Sequence, residues 1–290
     1  PPSLLLLRLL SVAIAAGTLL LLRRLLDKLP LSRIVRLSTL AFVAFLPTFI
    51  GTTATVNNDG LTVLFATTAL LYLLPQSGRP RHLVLGGLFV GLALLTKLSA
   101  VVLLPLLALL ILLPATAHPI TIRLRNLALL IVGILPGLLL LVTRNLATYG
   151  TITATMPGVE RVWSFEGANI FRALRNLFWS FWFAFGRTYE IQLPPLLYLL
   201  LFLPLTLLPL AGLARMRRLS TSNDSTVSPG IMLLGLVAAI GISLLFTLAY
   251  PEATMTSWGK NLYPLLPVIG ILFALGSDGD TVGQLRSRRA

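Results

Sequence analysis

The chain has no cysteine, which excludes a disulfide framework and a thiolate metal site and leaves the redox compartment open. Acid is also scarce: nine Asp and Glu in 290 residues, against 23 Lys and Arg. Histidine occurs twice, at His82 and His118, both in basic gaps between apolar runs, which argues against a histidine-built zinc site. Charged residues make up only 11% of the chain, where a soluble domain carries about 25%. Hydrophobic residues make up 56%, and a soluble protein of this length needs far more polar surface than that leaves. The net charge of +14 invites a nucleic-acid reading. The aromatic and glycine patterns of nucleic-acid modules are missing, however, and the cations sit in the gaps between apolar runs, so no nucleic-acid partner is expected.

What is present is leucine in long runs. Nine apolar stretches, at about 4–22, 34–50, 61–75, 83–96, 98–113, 127–143, 195–213, 231–250 and 262–276, predict an all-α, polytopic transmembrane bundle in one domain over 1–290. The fourth and fifth are short and read either as partial spans meeting near Lys97 or as spans that extend into the flanking loops. The gaps 23–33, 76–82, 114–126 and 214–230 and the tail 277–290, with Arg36, hold 15 of the 23 basic residues. The positive-inside rule puts that side in the cytoplasm, with the first residue outside and the last inside. The chain opens on Pro rather than Met, and Leu4–Leu22 carries Arg8 and lacks a small-residue cleavage site. It is read as a span rather than a signal peptide, and the chain as a fragment whose natural N-terminus lies upstream.

One long external loop, 144–194, carries Glu160, Glu166, Glu190 and the aromatic run Phe178–Phe183. Its composition predicts an interfacial helix around Ala168–Phe185, basic on one side and aromatic on the other. The segment 214–230, with Ser220–Pro229 at its heart, reads as a cytoplasmic linker, and 277–290 as a basic cytoplasmic tail.

Polar residues on the external side are the candidates for chemistry. Asn57, Asn58 and Asp59 follow one another between two apolar runs, and they read equally as helix caps or as part of a site. Lys97 lies between two apolar runs, either snorkelling to the surface or offering a compact positive charge to a phosphate. Arg144 and Tyr149 stand at the outer end of the sixth run, and Lys260 and Tyr263 at the start of the ninth. Cations at several helix ends converging on one carboxylate beside lipid suit a lipid-linked phosphate.

The runs RLLSVAIAAGTLLLLRRLL (8–26), FLPTFIGTTATVNNDGLTVLFATTALLYLL (45–74) and GGLFVGLALLTKLSAVVLLPLLALL (86–110) resemble the polytopic GT-C glycosyltransferases. The nearest likeness is to protein-mannosyltransferase-like and aminoarabinose-transferase-like bacterial proteins. TRNLATYG (143–150) is similar to the segment that opens their long external loop. SWGKNLYPLLPVIGILFALG (257–276) resembles their late helix, with Lys260-Asn261 where Arg-Tyr is commoner. The resemblance implies a GT-C-like fold in a bacterial plasma membrane. It implies inverting transfer of a sugar from a polyprenyl-phosphate donor to an acceptor at the outer face. Asp59 then matches the family's second acidic motif, and Lys97 the lysine that meets the donor phosphate. Asn58, Arg144, Tyr149, Lys260 and Tyr263 become substrate-binding candidates. The first external loop, which carries the family's principal base, lies outside this chain on that alignment, so Asp59 takes a supporting role. A divalent metal, the sugar, the acceptor and the oligomeric state are left open. The rival reading is a non-catalytic membrane protein, such as a transporter or an envelope-polysaccharide assembly factor. The lack of paired interruptions in the apolar runs disfavours transport.

Overall fold

The structure is a computed structural model that describes residues 2–29, 31–74, 79–113, 119–152, 167–185, 191–208, 210, 229–248 and 259–277. Of the linker expected at 214–230 and the tail expected at 277–290, residues 229–230 and 277 are helical and the rest lie outside the described residues, as do His118, Glu160, Glu166 and Glu190.

Among the described residues, each of the nine apolar runs is largely helical. In chain order the elements are α1 (Pro2–Asp27), α2 (Arg33–Phe45), α3 (Pro47–Ala54), α4 (Asp59–Leu73) and α5 (Pro80–Thr96). A short 3-10 turn (Leu98–Val102) leads into α6 (Leu103–Leu112), followed by α7 (Ile120–Tyr149) and α8 (Gly167–Trp182). A two-stranded antiparallel ribbon, β1 (Ala184–Phe185) and β2 (Ile191–Gln192), pairs Ala184 with Gln192 and Phe185 with Ile191. Then come α9 (Pro195–Leu208, with a π turn at Tyr198–Phe202), α10 (Pro229–Leu248), a 3-10 segment (Gly259–Leu265) and α11 (Leu266–Ser277).

Among the described residues, four helical segments are long and apolar enough to cross a membrane: Ser3–Asp27, Ile120–Tyr149, Gly230–Leu248 and Gly259–Gly276. The pair α2–α3, bent by 54°, makes a fifth if counted as one broken span. The remaining apolar helices are of 10–17 residues, short of the roughly 20 that a 30 Å hydrocarbon core requires. These are the helices of an integral membrane protein, and the count of nine crossings does not follow from their lengths.

The breaks have local causes. Leu46 precedes Pro47, whose ring excludes the helical conformation for its neighbour; Leu46 is extended (φ −63°, ψ 116°) and α3 restarts with Pro at its first position. Lys97 closes α5 in an extended conformation (φ −157°, ψ 126°), so its side chain leaves the helix at the point where the chain reverses. Gly150 ends α7 in the left-handed region (φ +69°), its N–H bonded to Leu146 O at 3.1 Å.

The first helices alternate in direction. Lys28, at the end of α1, donates to Leu71 O near the end of α4 (3.4 Å), while Asn58, before α4, donates to Thr96 O at the end of α5 (2.7 Å). Basic residues therefore collect at one end of these helices and Asp59 at the other. Helices α5 and α7 run parallel along a glycine seam. A Cβ on Gly87 would fall 2.3 Å from Leu130 O, one on Gly91 2.6 Å from Ile134 O, one on Gly133 2.2 Å from Val84 O and one on Gly137 2.3 Å from the Gly91 carbonyl carbon. Two Gly-xxx-Gly faces let the backbones touch, which is how helices associate where lipid removes the hydrophobic incentive. Helix α11 is largely buried and packs on α2: Thr39 donates to Gly270 O at 3.2 Å, and Phe42 stacks on Phe273 with centroids 4.4 Å apart.

The helix expected around Ala168–Phe185 forms as α8 (Gly167–Trp182). Its aromatic side turns into the bundle, with Trp182 edge-on to Phe42 (5.9 Å) and stacked on Phe202 (5.0 Å), and Phe181 edge-on to Tyr263 (5.9 Å). Phe171 and Leu174, on the same face one to three turns earlier, are left exposed. Ring stacking and burial inside the protein take up these side chains.

Candidate functional site

Asp59 is the first residue of α4, placed there by the four-residue connection from α3. The three neighbouring polar residues do three different things. Asn57 accepts the Asp59 N–H on its side-chain oxygen (2.9 Å) and donates to Thr52 O (2.9 Å), which closes the turn. Asn58 occupies the cap position without making a side-chain cap bond and instead ties α4 to α5 through Thr96 O. Asp59 is left with its carboxylate turned inward, 5% exposed.

Two ammonium groups meet that carboxylate. Lys97 bonds Oδ1 from the break after α5, and Lys260 lies 3.3 Å from Oδ2, arriving from the 3-10 segment before α11. Three elements far apart in sequence thus converge on one acid. The lysine side chains are 23% and 29% exposed, so the cations border open space while the anion does not. One negative charge faces two positive ones, and the site carries a surplus positive charge at its accessible edge. Removing one member of such a set leaves an uncompensated buried charge.

The frame around the trio is made of threonines. Thr62, one turn beyond Asp59, meets Thr96 hydroxyl to hydroxyl at 2.9 Å, one of the two donating, and has Asn58 O within 2.8 Å as its alternative acceptor. Thr96 also donates to Ala93 O at 2.7 Å. Below the trio, the Tyr263 ring packs against Phe49 and Phe181, and its buried hydroxyl lies beside Thr48 and near Asp59, with no partner in full hydrogen-bond geometry among the described residues.

Of the residues singled out in the sequence, Asp59, Asn58, Lys97 and Lys260 come together, and Tyr263 lies beneath them. Arg144 and Tyr149 are exposed on the last turns of α7, and among the described residues no ion pair or hydrogen bond joins either to the Asp59 trio. The neighbouring Asn145 is the buried member of that turn, donating to Ile152 O at 2.8 Å. Thr62 was not among the candidates, although its spacing from Asp59 puts the two on one helix face. Thr96 had a clearer signal as the residue before Lys97.

The described residues do not fit a divalent ion. No group of three His, Cys, Asp or Glu side chains gathers among them, and both oxygens of the single carboxylate here already face ammonium groups.

The trio is also recessed. Ile14 of α1 is level with Gly60, so α1 continues past the start of α4 for a dozen residues, about 18 Å at 1.5 Å each. Gly91 is level with Gly137, so α7 likewise runs beyond Lys97.

No family model, curated protein or solved structure matches the chain.

Proposed function

We propose that the Asp59–Lys97–Lys260 cluster is the donor-phosphate site of a membrane glycosyltransferase of GT-C type. The enzyme moves a sugar from a polyprenyl-phosphate donor to an acceptor at the outer face of a bacterial plasma membrane. The observation that carries the reading is one buried carboxylate shared by two half-open lysines from separate elements. Such a constellation is expensive in an apolar bundle and gains nothing for packing.

In the transfer, the bond between the anomeric carbon and the phosphate oxygen breaks, and negative charge grows on the departing lipid phosphate. Lys97 and Lys260 are fixed where that charge develops, which is the arrangement electrostatic stabilisation requires. Asp59 holds the two ammonium groups at a set separation. With a cation on each oxygen it is poorly disposed to accept a proton, so it is a positioning carboxylate, and deprotonation of the acceptor falls to another group. The recess suits a lipid-borne substrate, since α1 and α7 extend past the cluster toward the proposed outer surface. In this orientation the first residue is outside and the last in the cytoplasm.

Replacing Asp59 by Asn and Lys97 by Ala in the full-length protein, followed by an assay of sugar transfer from polyprenyl-phosphate donors, tests the reading. The expected outcome is loss of turnover by a factor of about 100 or more in the lysine variant. Unchanged turnover in both would remove the cluster from the mechanism.

One observation favours a second reading, transport. The apolar runs are interrupted twice next to the cluster, at Leu46–Pro47 and at Lys97, as in transporters whose broken helices surround a substrate site. Substrate flux across proteoliposomes without any glycosidic product would select that reading.

A further inference from the structure

Lys260 reaches Asp59 from a short 3-10 segment, and the residue before it is gripped from outside that segment. The Gly259 N–H donates to Ser180 Oγ at 2.6 Å. Gly259 lies so close on α8 that a Cβ there would fall 2.1 Å from Phe181 N and 2.3 Å from Phe181 Cα. Ser180 is itself fixed: it is buried, and its hydroxyl donates to Asn176 O at 2.5 Å one turn back. Its lone pair is thereby aimed away from the helix, at the glycine. The same last turn of α8 holds α3, since Thr48 donates to Phe181 O and lies 3.4 Å from Trp182 O.

We propose that Ser180, with the Phe181 backbone behind it, is a positioning residue that sets the Lys260 ammonium on Asp59. The seating of α8 thereby fixes the second positive charge of the cluster. The Lys260–Asp59 separation of 3.3 Å leaves little margin: a backbone shift of about an ångström at Gly259 carries the ammonium out of hydrogen-bond range. The placement of Lys260 stands on geometry alone, and its consequence for sugar transfer rests on the function proposed above. Ser180→Ala removes the acceptor and leaves a buried N–H unpaired. Gly259→Ala pushes the segment off α8 directly. Thr206→Ala is the control, because it removes a different bond to α8, the one from Trp182 Nε1 (3.1 Å), and leaves Ser180 and Gly259 untouched.

The chain has only three lysines, Lys28, Lys97 and Lys260, so lysine labelled with 13C at Cε and 15N at Nζ gives three assignable signals from the full chain in lipid nanodiscs. The expected result is that Ser180→Ala and Gly259→Ala move the Lys260 signal by more than half the displacement that Asp59→Asn produces. Lys28, remote from the cluster, stays put and reports that the variant is folded, and Thr206→Ala leaves all three signals in place. In sugar transfer the Ser180 variant falls about tenfold or more in kcat, the scale of a small misplacement at a reacting centre. A Lys260 signal unmoved in both variants, or moved as far by Thr206→Ala, would overturn the proposal. A wild-type protein without transfer activity would count against the glycosyltransferase reading and leave the lysine spectra to decide this one.

Discussion

Along α5, the stretch Gly86–Gly91 and the end at Thr96–Lys97 are held by opposite means. The glycine seam against α7 is backbone on backbone, with no room for a single methyl group at Gly87 or Gly91. The Lys97 end rests on hydroxyls, an amide and an ion pair, with the lysine partly open to its surroundings. The seam is what a bundle in lipid needs in order to form. The Lys97 end is what such a bundle avoids unless something is to be bound there. Placed on one helix, they separate what holds the fold from what the fold presents.

The comparison breaks hardest at the seam. Gly133→Leu or Gly137→Leu sets a branched side chain against the α5 backbone, and the expected outcome is loss of a monodisperse peak in fluorescence-detected size exclusion. Gly241→Ala, where nothing lies within 4 Å of the added Cβ, is the matched control and elutes as the parent protein does.

At the other end of α5 the expected effects are smaller and specific. Asp59→Asn strands two ammonium groups and costs about 3–5 kcal/mol, read as a lowered unfolding midpoint. Combining it with Lys97→Met restores part of that loss, because one unpaired cation is gone, and a double-mutant cycle yields the coupling. The threonine frame comes next. Thr62→Val and Thr96→Val each cost about 1 kcal/mol, and together less than the sum, since they share one bond.

The smallest effect lies at the basic end, at His82 in the first turn of α5. Burial lowers its pKa from the ordinary 6.5, and Arg81, Arg79 and Lys28 lower it further. The neutral ring is the favoured form in the fold. Its contribution to stability is complete above pH 6.5 and is lost as the pH falls through that value toward the lowered folded pKa. An NMR titration should place the His82 midpoint below 6.5, and added salt should raise it by screening the three cations.

Much of this was legible in the residues. Charge is so scarce among the leucines that Asp59, Lys97 and Lys260 stood out, and helix ends alone put them at one level. Level is not azimuth, however. Arg144 shares their end of the bundle but points away, and no periodicity could say so. The docking of α8 was hidden because Phe178–Phe183 is as suitable for a lipid surface as for a protein groove; only the shape of α2, α9 and the segment at Tyr263 decides. The glycine seam was open to inspection as two Gly-xxx-Gly patterns, Gly87/Gly91 and Gly133/Gly137, and needed only a partner for each. The helix break at Lys97 coincides with the boundary between two apolar runs, whereas the bend at Leu46–Pro47 lies inside the single run 34–50, where only the proline marks it.

The central claim is that the charges at Asp59, Lys97 and Lys260 are kept for a phosphate rather than for the fold. The most direct measurement is polyprenyl-phosphate binding and thermal unfolding of the triple variant Asp59→Leu, Lys97→Met, Lys260→Met beside the wild type. Apolar replacement of a complete buried ionic set is neutral or stabilising, so the account predicts an unfolding midpoint at or above that of the wild type, with binding lost. A variant that binds polyprenyl phosphate as the wild type does would contradict it.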